Sequence, residues 1–267
     1  MTSEWSINNK YRVIEHIGAG AFGSIYKGQN MRTMADVAIK VEPIDGATKL
    51  LKNESTIYQY LKGCAGVPSV KWFGHDDKNY YMVISLLGES LQSIRNKKQT
   101  LSLNLVLKIG IQIVLLLETI HGKGLVHRDV KPDNFLFGRN NDNKRIYIVD
   151  FGFCKAYLIN GHHVPERKTH GMIGSLTYAS LNTHSLTELS RRDDLESLGY
   201  LLANLYLGEL PWQDIHASEV ASAKQVIVTT NLLPQVLTTF LMYARSLKFE
   251  ERPDYAQIIK SFASEIV

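Results

Sequence analysis

The sequence predicts an α+β protein in two lobes: a five-stranded antiparallel sheet carrying one helix, then a mainly helical remainder. Three observations carry this. Short β-rich runs follow one another between 11 and 85, separated by turns rich in Gly, Asp and Asn. Two segments, 101–122 and 194–208, are apolar on most faces, the mark of helices buried inside a helical core. Between them lies the polar loop His127-Arg128-Asp129-Val130-Lys131-Pro132-Asp133-Asn134, followed by Asp150-Phe151-Gly152.

At 267 residues, 45% hydrophobic and 21% charged, the chain can bury a substantial core, and its composition does not indicate disorder. A formal charge of +4 suits anionic ligands but is too small to imply nucleic acid, and no basic helix or polybasic tail points to a membrane. Neither partner is expected. Cys64 and Cys154 make neither a disulfide framework nor a metal-ligand spacing, so a reducing compartment is expected. Residues 1–11 hold Glu4, Asn8, Asn9 and Lys10 without an apolar run, so no signal peptide is expected. The apolar run 109–117 is flanked by Lys108 and Glu118 and interrupted by Gln112, and is read as too short and polar for a bilayer span. A cytoplasmic or nuclear monomer follows as the expectation.

Taken in order, 11–14, 24–28 and 37–40 read as three strands. The first two are joined by Gly18-Ala19-Gly20-Ala21-Phe22-Gly23, a GxGxxG. A dinucleotide site is the obvious rival for that motif, but there the glycines open a helix, whereas Ser24-Ile25-Tyr26 continues as a strand. A glycine-rich hairpin lets backbone amides approach phosphate oxygens without a Cβ in the way. Val37-Ala38-Ile39-Lys40 ends in a lysine that needs a carboxylate. Residues 47–62 carry Leu50, Leu51, Ile57, Tyr58 and Leu61 at helical spacing, with Glu54 on or beside that face. An unpaired buried charge is costly, so Lys40 and Glu54 are expected to pair. Strands at 70–74 and 80–85 complete the sheet, and Leu86-Leu87-Gly88 marks the lobe boundary, giving 11–87 and 88–267 within a single domain.

Beyond the boundary, helix 101–122 leads into the polar loop, and short strands at 136–137 and 146–149 flank it. An Asp, a Lys and an Asn in a loop are usually turn formers. Here they come with a second carboxylate, Asp150, and the set suits phosphoryl transfer. That chemistry needs an orienting base, a cation near the moving phosphate and oxygen ligands for Mg2+.

The glycine-rich loop, Val-Ala-Ile-Lys, the His-Arg-Asp loop with Asn134 and Asp-Phe-Gly together resemble the eukaryotic protein kinases over nearly the whole chain. Further stretches are similar to the casein kinase I family. They are Leu86-Leu87-Gly88-Glu89-Ser90-Leu91, Tyr178-Ala179-Ser180-Leu181-Asn182-Thr183-His184, the run from Ser190-Arg191-Arg192 to Gly199-Tyr200, and Leu210-Pro211-Trp212-Gln213. The resemblance implies a bilobal protein-kinase fold and a Ser/Thr protein kinase using ATP and Mg2+. Asp129 would orient the substrate hydroxyl and Lys131 would neutralise the γ-phosphate. Asn134 and Asp150 would ligate the metal. Lys40, paired with Glu54, would hold the α and β phosphates. Nucleotide contacts would come from Ile17, Gly18, Ala19, Gly20, Ala21, Phe22, Gly23, Ser24 and Ile25, with Ala38, Leu136 and Val149 lining the adenine slot, Leu87 at the hinge and Ile84 at the back. Asp194 would tie the second buried helix to the loop backbone.

The resemblance also implies protein substrates, acidic ones included; with the sequence ending at Val267, a compact member without a long C-terminal tail is expected. The family's usual arginine before Tyr-Ala-Ser is Thr177 here, and the lysine-rich run after Leu-Pro-Trp-Gln is reduced to Lys224. A threonine does not replace an arginine fork on phosphate, so preference for phosphate-primed peptides is expected to be weak, with Arg128, Lys155, Arg167 and Lys168 as partial substitutes. The alternative reading is a catalytically inactive scaffold of the same fold that binds partner proteins.

Overall fold

The computed structural model describes residues 5–20, 23–46 and 49–267. Ala21 and Phe22, expected at the glycine-rich turn, lie outside them. The chain divides into two compact units: Met1–Gly88 with Phe137–Gly152, and Glu89–Leu136 with Phe153–Val267. The segment ending in Asp150 therefore packs with the sheet, although it follows the polar loop in sequence. A backbone bond from Ile148 N to Gly66 O, 2.9 Å long, is one of its anchors.

Among the described residues the first unit holds an antiparallel sheet ordered β1-β2-β3-β4-β6-β5. Its strands are β1 (Ser6–Ile7), β2 (Tyr11–Gly20), β3 (Gly23–Asn30), β4 (Asp36–Pro43), β5 (Val70–His75) and β6 (Asn79–Ser85). The five expected strands are present, and Ser6–Ile7 adds a sixth at the edge. Its hairpin closes with Lys10 N donating to Ile7 O, with Asn8 and Asn9 both at positive φ, a backbone asparagine tolerates well. Ile7 and Tyr11 thereby join Val37, Ile39, Val41, Tyr81 and Val83 in one buried cluster.

Side chains alternate across a strand, so a core built from Val37, Ile39 and Val41 sends Ala38, Lys40 and Glu42 to the opposite face of β4. Helix α1 (Leu50–Tyr60) buries Leu51, Glu54, Ser55 and Tyr58, the spacing of one helical stripe. Its N-cap, Lys49, supplies no capping side chain. Instead the buried carboxylate of Glu42 accepts from Leu50 N at 3.0 Å and Leu51 N at 3.1 Å. An anion placed at the positive end of the helix does the work of a cap from a neighbouring strand.

The second unit is helical: α2 (Leu91–Lys98), α3 (Leu103–Gly122), α4 (Leu181–His184), α5 (Arg191–Leu207), α6 (Val220–Val226), α7 (Gln235–Ser246) and α8 (Tyr255–Ser264). Helix α3 packs on α5 and α8, and α5 on α7. Gly110 permits the close approach of α3, since a Cβ there would lie 2.9 Å from the Phe262 ring. By length and composition alone α3 is apolar enough to cross a membrane. Its Val106, Leu107, Ile113, Val114, Leu117 and Ile120 are fully buried within the unit. Helix α5 begins with Ser190 N donating to the Asp193 carboxylate and ends at Gly208, whose φ of 87° suits glycine.

Candidate active site

The site residues divide between the two units. Ile17, Gly18, Ala19, Gly20, Gly23, Ser24, Ile25, Ala38, Lys40, Glu54, Leu87, Val149 and Asp150 belong to the first, and Asp129, Lys131, Asn134 and Leu136 to the second.

In the first unit, cross-strand register decides which side chains share a face. Ile25 lies opposite Lys40, and Ala38 opposite Ile84, so these four share the face that carries α1. Gly18 pairs with Ile25 and Ala19 with Ser24 in the β2–β3 hairpin. Gly23 has a reason of its own: a Cβ there would lie 2.0 Å from Val41 O on the neighbouring strand. At Gly18, by contrast, a Cβ would meet no atom within 4 Å among the described residues.

Lys40 Nζ reaches Glu54 Oε2 at 2.7 Å and Asp150 Oδ1 at 2.8 Å, joining strand, helix and the Asp-Phe-Gly turn through one ammonium. Burial works against that ammonium, but the two carboxylates overcome it and hold Lys40 above its ordinary value. Burial pushes Glu54 up to about 7 against the pull of Lys40. Asp150 sits at φ 64°, a left-handed conformation that an aspartate tolerates. Its backbone N–H meets the Tyr58 hydroxyl at 3.3 Å, and Tyr58 packs edge-on against Phe151 with ring centroids 4.8 Å apart. The α1 stripe thus fixes both ends of the Asp-Phe pair.

In the second unit the polar loop closes on itself. Asp129 is buried, and its Oδ2 accepts from Lys131 Nζ at 2.7 Å and Asn134 Nδ2 at 3.2 Å. Asn134 Nδ2 also donates to Asp129 O at 2.8 Å. The other carboxylate oxygen, Oδ1, accepts from Ser175 N at 3.0 Å. Below the loop, Asp194 of α5 accepts from His127 N at 2.7 Å and Arg128 N at 2.8 Å, and from His121 Nε2 at 2.9 Å. Burial opposes its charge, yet His121 and His127 hold its carboxyl below the usual carboxylate value. Arg128 takes φ 67°, which turns the chain so that Asp129 leaves the Asp194 platform. Gly174, at φ 85°, lies so close that a Cβ would stand 2.6 Å from Arg128 O.

The atoms offered suit a hard cation held jointly with phosphates. In the second unit Asn134 Nδ2 is spent on Asp129, and the amide oxygen is the atom left for a ligand; in the first unit Asp150 carries a carboxylate. Among the described residues no cluster of three or more His, Cys, Asp or Glu makes an all-protein metal cage. Mg2+ typically takes one or two protein oxygens and completes its shell with water and substrate phosphate, so an amide or a carboxylate oxygen of this kind suits it.

Three contributors were not read from the sequence as parts of the site: Glu42, Tyr58 and Ser175. The signal for Glu42 was present, a carboxylate on the same strand face as Lys40. Lys224, read as the remnant of a basic surface, is instead fully buried. Lys155 and Arg167 both bond Glu188, and Arg128 Nε donates to Phe153 O.

The family model for the protein kinase domain matches residues 11–266. With nearly the whole chain covered, a Lys40–Glu54–Asp150 ion triad in its first unit and a self-closed Asp129 loop in its second, this chain belongs to the protein kinase domain family.

Proposed function

We propose that the protein is an active Ser/Thr protein kinase, casein kinase I-like, that transfers the γ-phosphoryl group of MgATP to serine and threonine hydroxyls of protein substrates. The observation that carries this is the Lys40 ion triad, since a kinase fold that had lost its chemistry would have no need of a buried carboxylate and a turn carboxylate on one lysine.

Bound Mg2+ supplies charge neutralisation for the phosphates. Lys40 orients the α and β phosphates, held by Glu54 so that its ammonium is placed before the nucleotide arrives. Asp150 and the Asn134 amide oxygen would be the metal's protein ligands. Asp129 takes up the hydrogen bond of the substrate hydroxyl and positions it for attack. Lys131, already bonded to Asp129, is the cation that the transferring group meets. Ile25, Ala38, Val149 and Leu136 are the apolar walls for adenine, with Leu87 offering backbone to it.

Substrate choice is proposed to depend little on a priming phosphate. Thr177 stands where the family's arginine is expected, and Lys155 and Arg167 are both engaged by the one Glu188 carboxylate. Lys168 Nζ is turned to Ser185 O. The test is phosphorylation of an acidic peptide array, with phosphoamino-acid analysis of the products. Serine and threonine phosphate should appear, and a phosphoserine upstream should change kcat/KM less than tenfold. A hundredfold gain would contradict the substrate reading. No transfer to any peptide or to casein would contradict the kinase reading itself and leave the scaffold reading.

A further inference from the structure

Lys224 lies on α6 and is 0% exposed, a position that lysines rarely occupy. Its Nζ donates to Leu176 O at 2.7 Å and Ala179 O at 2.6 Å, lies 3.1 Å from His184 Nε2, and stands over the rings of Tyr200 and Trp212. Carbonyls and rings, rather than a bonded carboxylate, receive the ammonium. The nearby Glu196 carboxylate is itself engaged by Arg245, Tyr200 and Leu181 N.

The two carbonyls belong to a turn with a particular connection. Ser175 O accepts from Ala179 N at 2.9 Å, and Ser175 N donates to Asp129 Oδ1. An unbroken run of hydrogen bonds therefore leads from Lys224 through Ala179 and Ser175 to Asp129. The Thr177 carbonyl, between the two that Lys224 holds, is taken by Trp212 Nε1 at 2.8 Å. Carbonyls of one turn that point into a protein interior need donors, and an apolar residue at position 224 would leave two of them without one. Burial pushes the Lys224 ammonium down to about 7, so an unstrained side chain of the same volume would be easier to bury. That cost is met by what the turn does.

We propose that Lys224 is a positioning residue for phosphoryl transfer: it holds the 176–179 turn from behind, and with it both the seat of the protein substrate around Thr177 and the orientation of the Asp129 carboxylate. The assignment rests on the kinase reading given above. Its chief effect is on the protein substrate and the transfer step, because the turn it holds bonds Asp129 Oδ1, whereas Asn134 is held by Oδ2 and the backbone carbonyl of Asp129.

The experiment compares wild type with Lys224→Met, which fills the volume without a donor, and Lys224→Gln, which keeps an uncharged N–H donor. Each is assayed well below its melting temperature, with KM for an acidic peptide and KM for ATP measured separately. Lys224→Met should raise the peptide KM at least tenfold and lower kcat, with the ATP KM within twofold of wild type. Lys224→Gln should recover a large part of the loss. If Lys224→Met folds too poorly to assay, the peptide KM of Lys224→Gln decides, with a rise of threefold or more expected. A lowered melting temperature with both KM values unchanged overturns the assignment and leaves Lys224 a purely structural residue. If the wild-type chain itself transfers no phosphate, the kinase reading fails and this assignment falls with it.

Discussion

Lys40 shows how single atoms decide the chemistry of this chain. One ammonium contacts two carboxylates from distant parts of the sequence, so Glu54 and Asp150 are coupled through its charge. Replacing Glu54 by Gln keeps the shape and removes the charge, and kcat/KM should fall at least a hundredfold, about 2.7 kcal/mol of transition-state stabilisation. Steady-state kinetics check it. Lys224 makes a second residue-level prediction, in stability. Facing it are Glu196 and Tyr200 on α5, Arg245 on α7 and His184 on α4. Its folded value is depressed to about 7 from an ordinary lysine value of 10.5, so the unfolded chain binds more protons between those limits. Stability contributed by Lys224 is therefore fully present above 10.5 and lost as pH falls towards 7. Across pH 7.5 to 9.5 the wild type should gain about 1 kcal/mol per pH unit relative to Lys224→Met, measured by denaturant titration. Nothing local in the sequence announces this residue, because a lysine in a polar stretch is exposed unless tertiary contacts bury it.

Two connections between elements set where the site's parts lie. One is Glu42 of β4, which caps α1 while the next residue back on the same strand face, Lys40, pairs with Glu54 on that helix. The helix is thus pinned to one strand at two points. Glu42→Ala should cost about 1 to 2 kcal/mol, read as a lower melting temperature, and should raise the ATP KM because α1 carries Glu54. The other is Asp194, which holds two loop N–H groups and a histidine from α5. Asp194→Ala leaves these donors buried and should lower stability by about 3 kcal/mol or more, with activity lost alongside. Strand and helix identities were legible because period-2 and period-3.6 patterns are local. Asp194 was legible through the resemblance. The Ser6–Ile7 strand was not, since two residues make no pattern, although Asn8-Asn9 carried the turn signal. The Glu42 cap escaped because it joins a strand to a helix that follows a turn.

At the scale of the whole molecule, the family assignment and the motifs agree from residue 11 to 266. The candidate catalytic set was read from short, collinear stretches; the structure assembles the polar loop locally, with Lys131 and Asn134 on Asp129, and brings Lys40 to Asp150 across 110 residues of sequence. What the linear reading did not separate is the grouping of Phe137–Gly152 with the sheet, which depends on contacts distant in sequence such as Ile148 to Gly66. Binding to the folded state alone raises stability by mass action, so MgATP at a hundred times its Kd should add about 2.7 kcal/mol, a shift of several degrees in melting temperature. Asp150→Asn should lose the part that depends on magnesium while the apo protein melts near the wild-type temperature. The most direct test is transfer of labelled γ-phosphate from MgATP to casein by wild type, Asp129→Asn and Asp150→Asn side by side. The account predicts clear incorporation by wild type and a loss of a thousandfold or more in each folded variant. Wild-type rates in either variant, or no incorporation by the wild type, would contradict it.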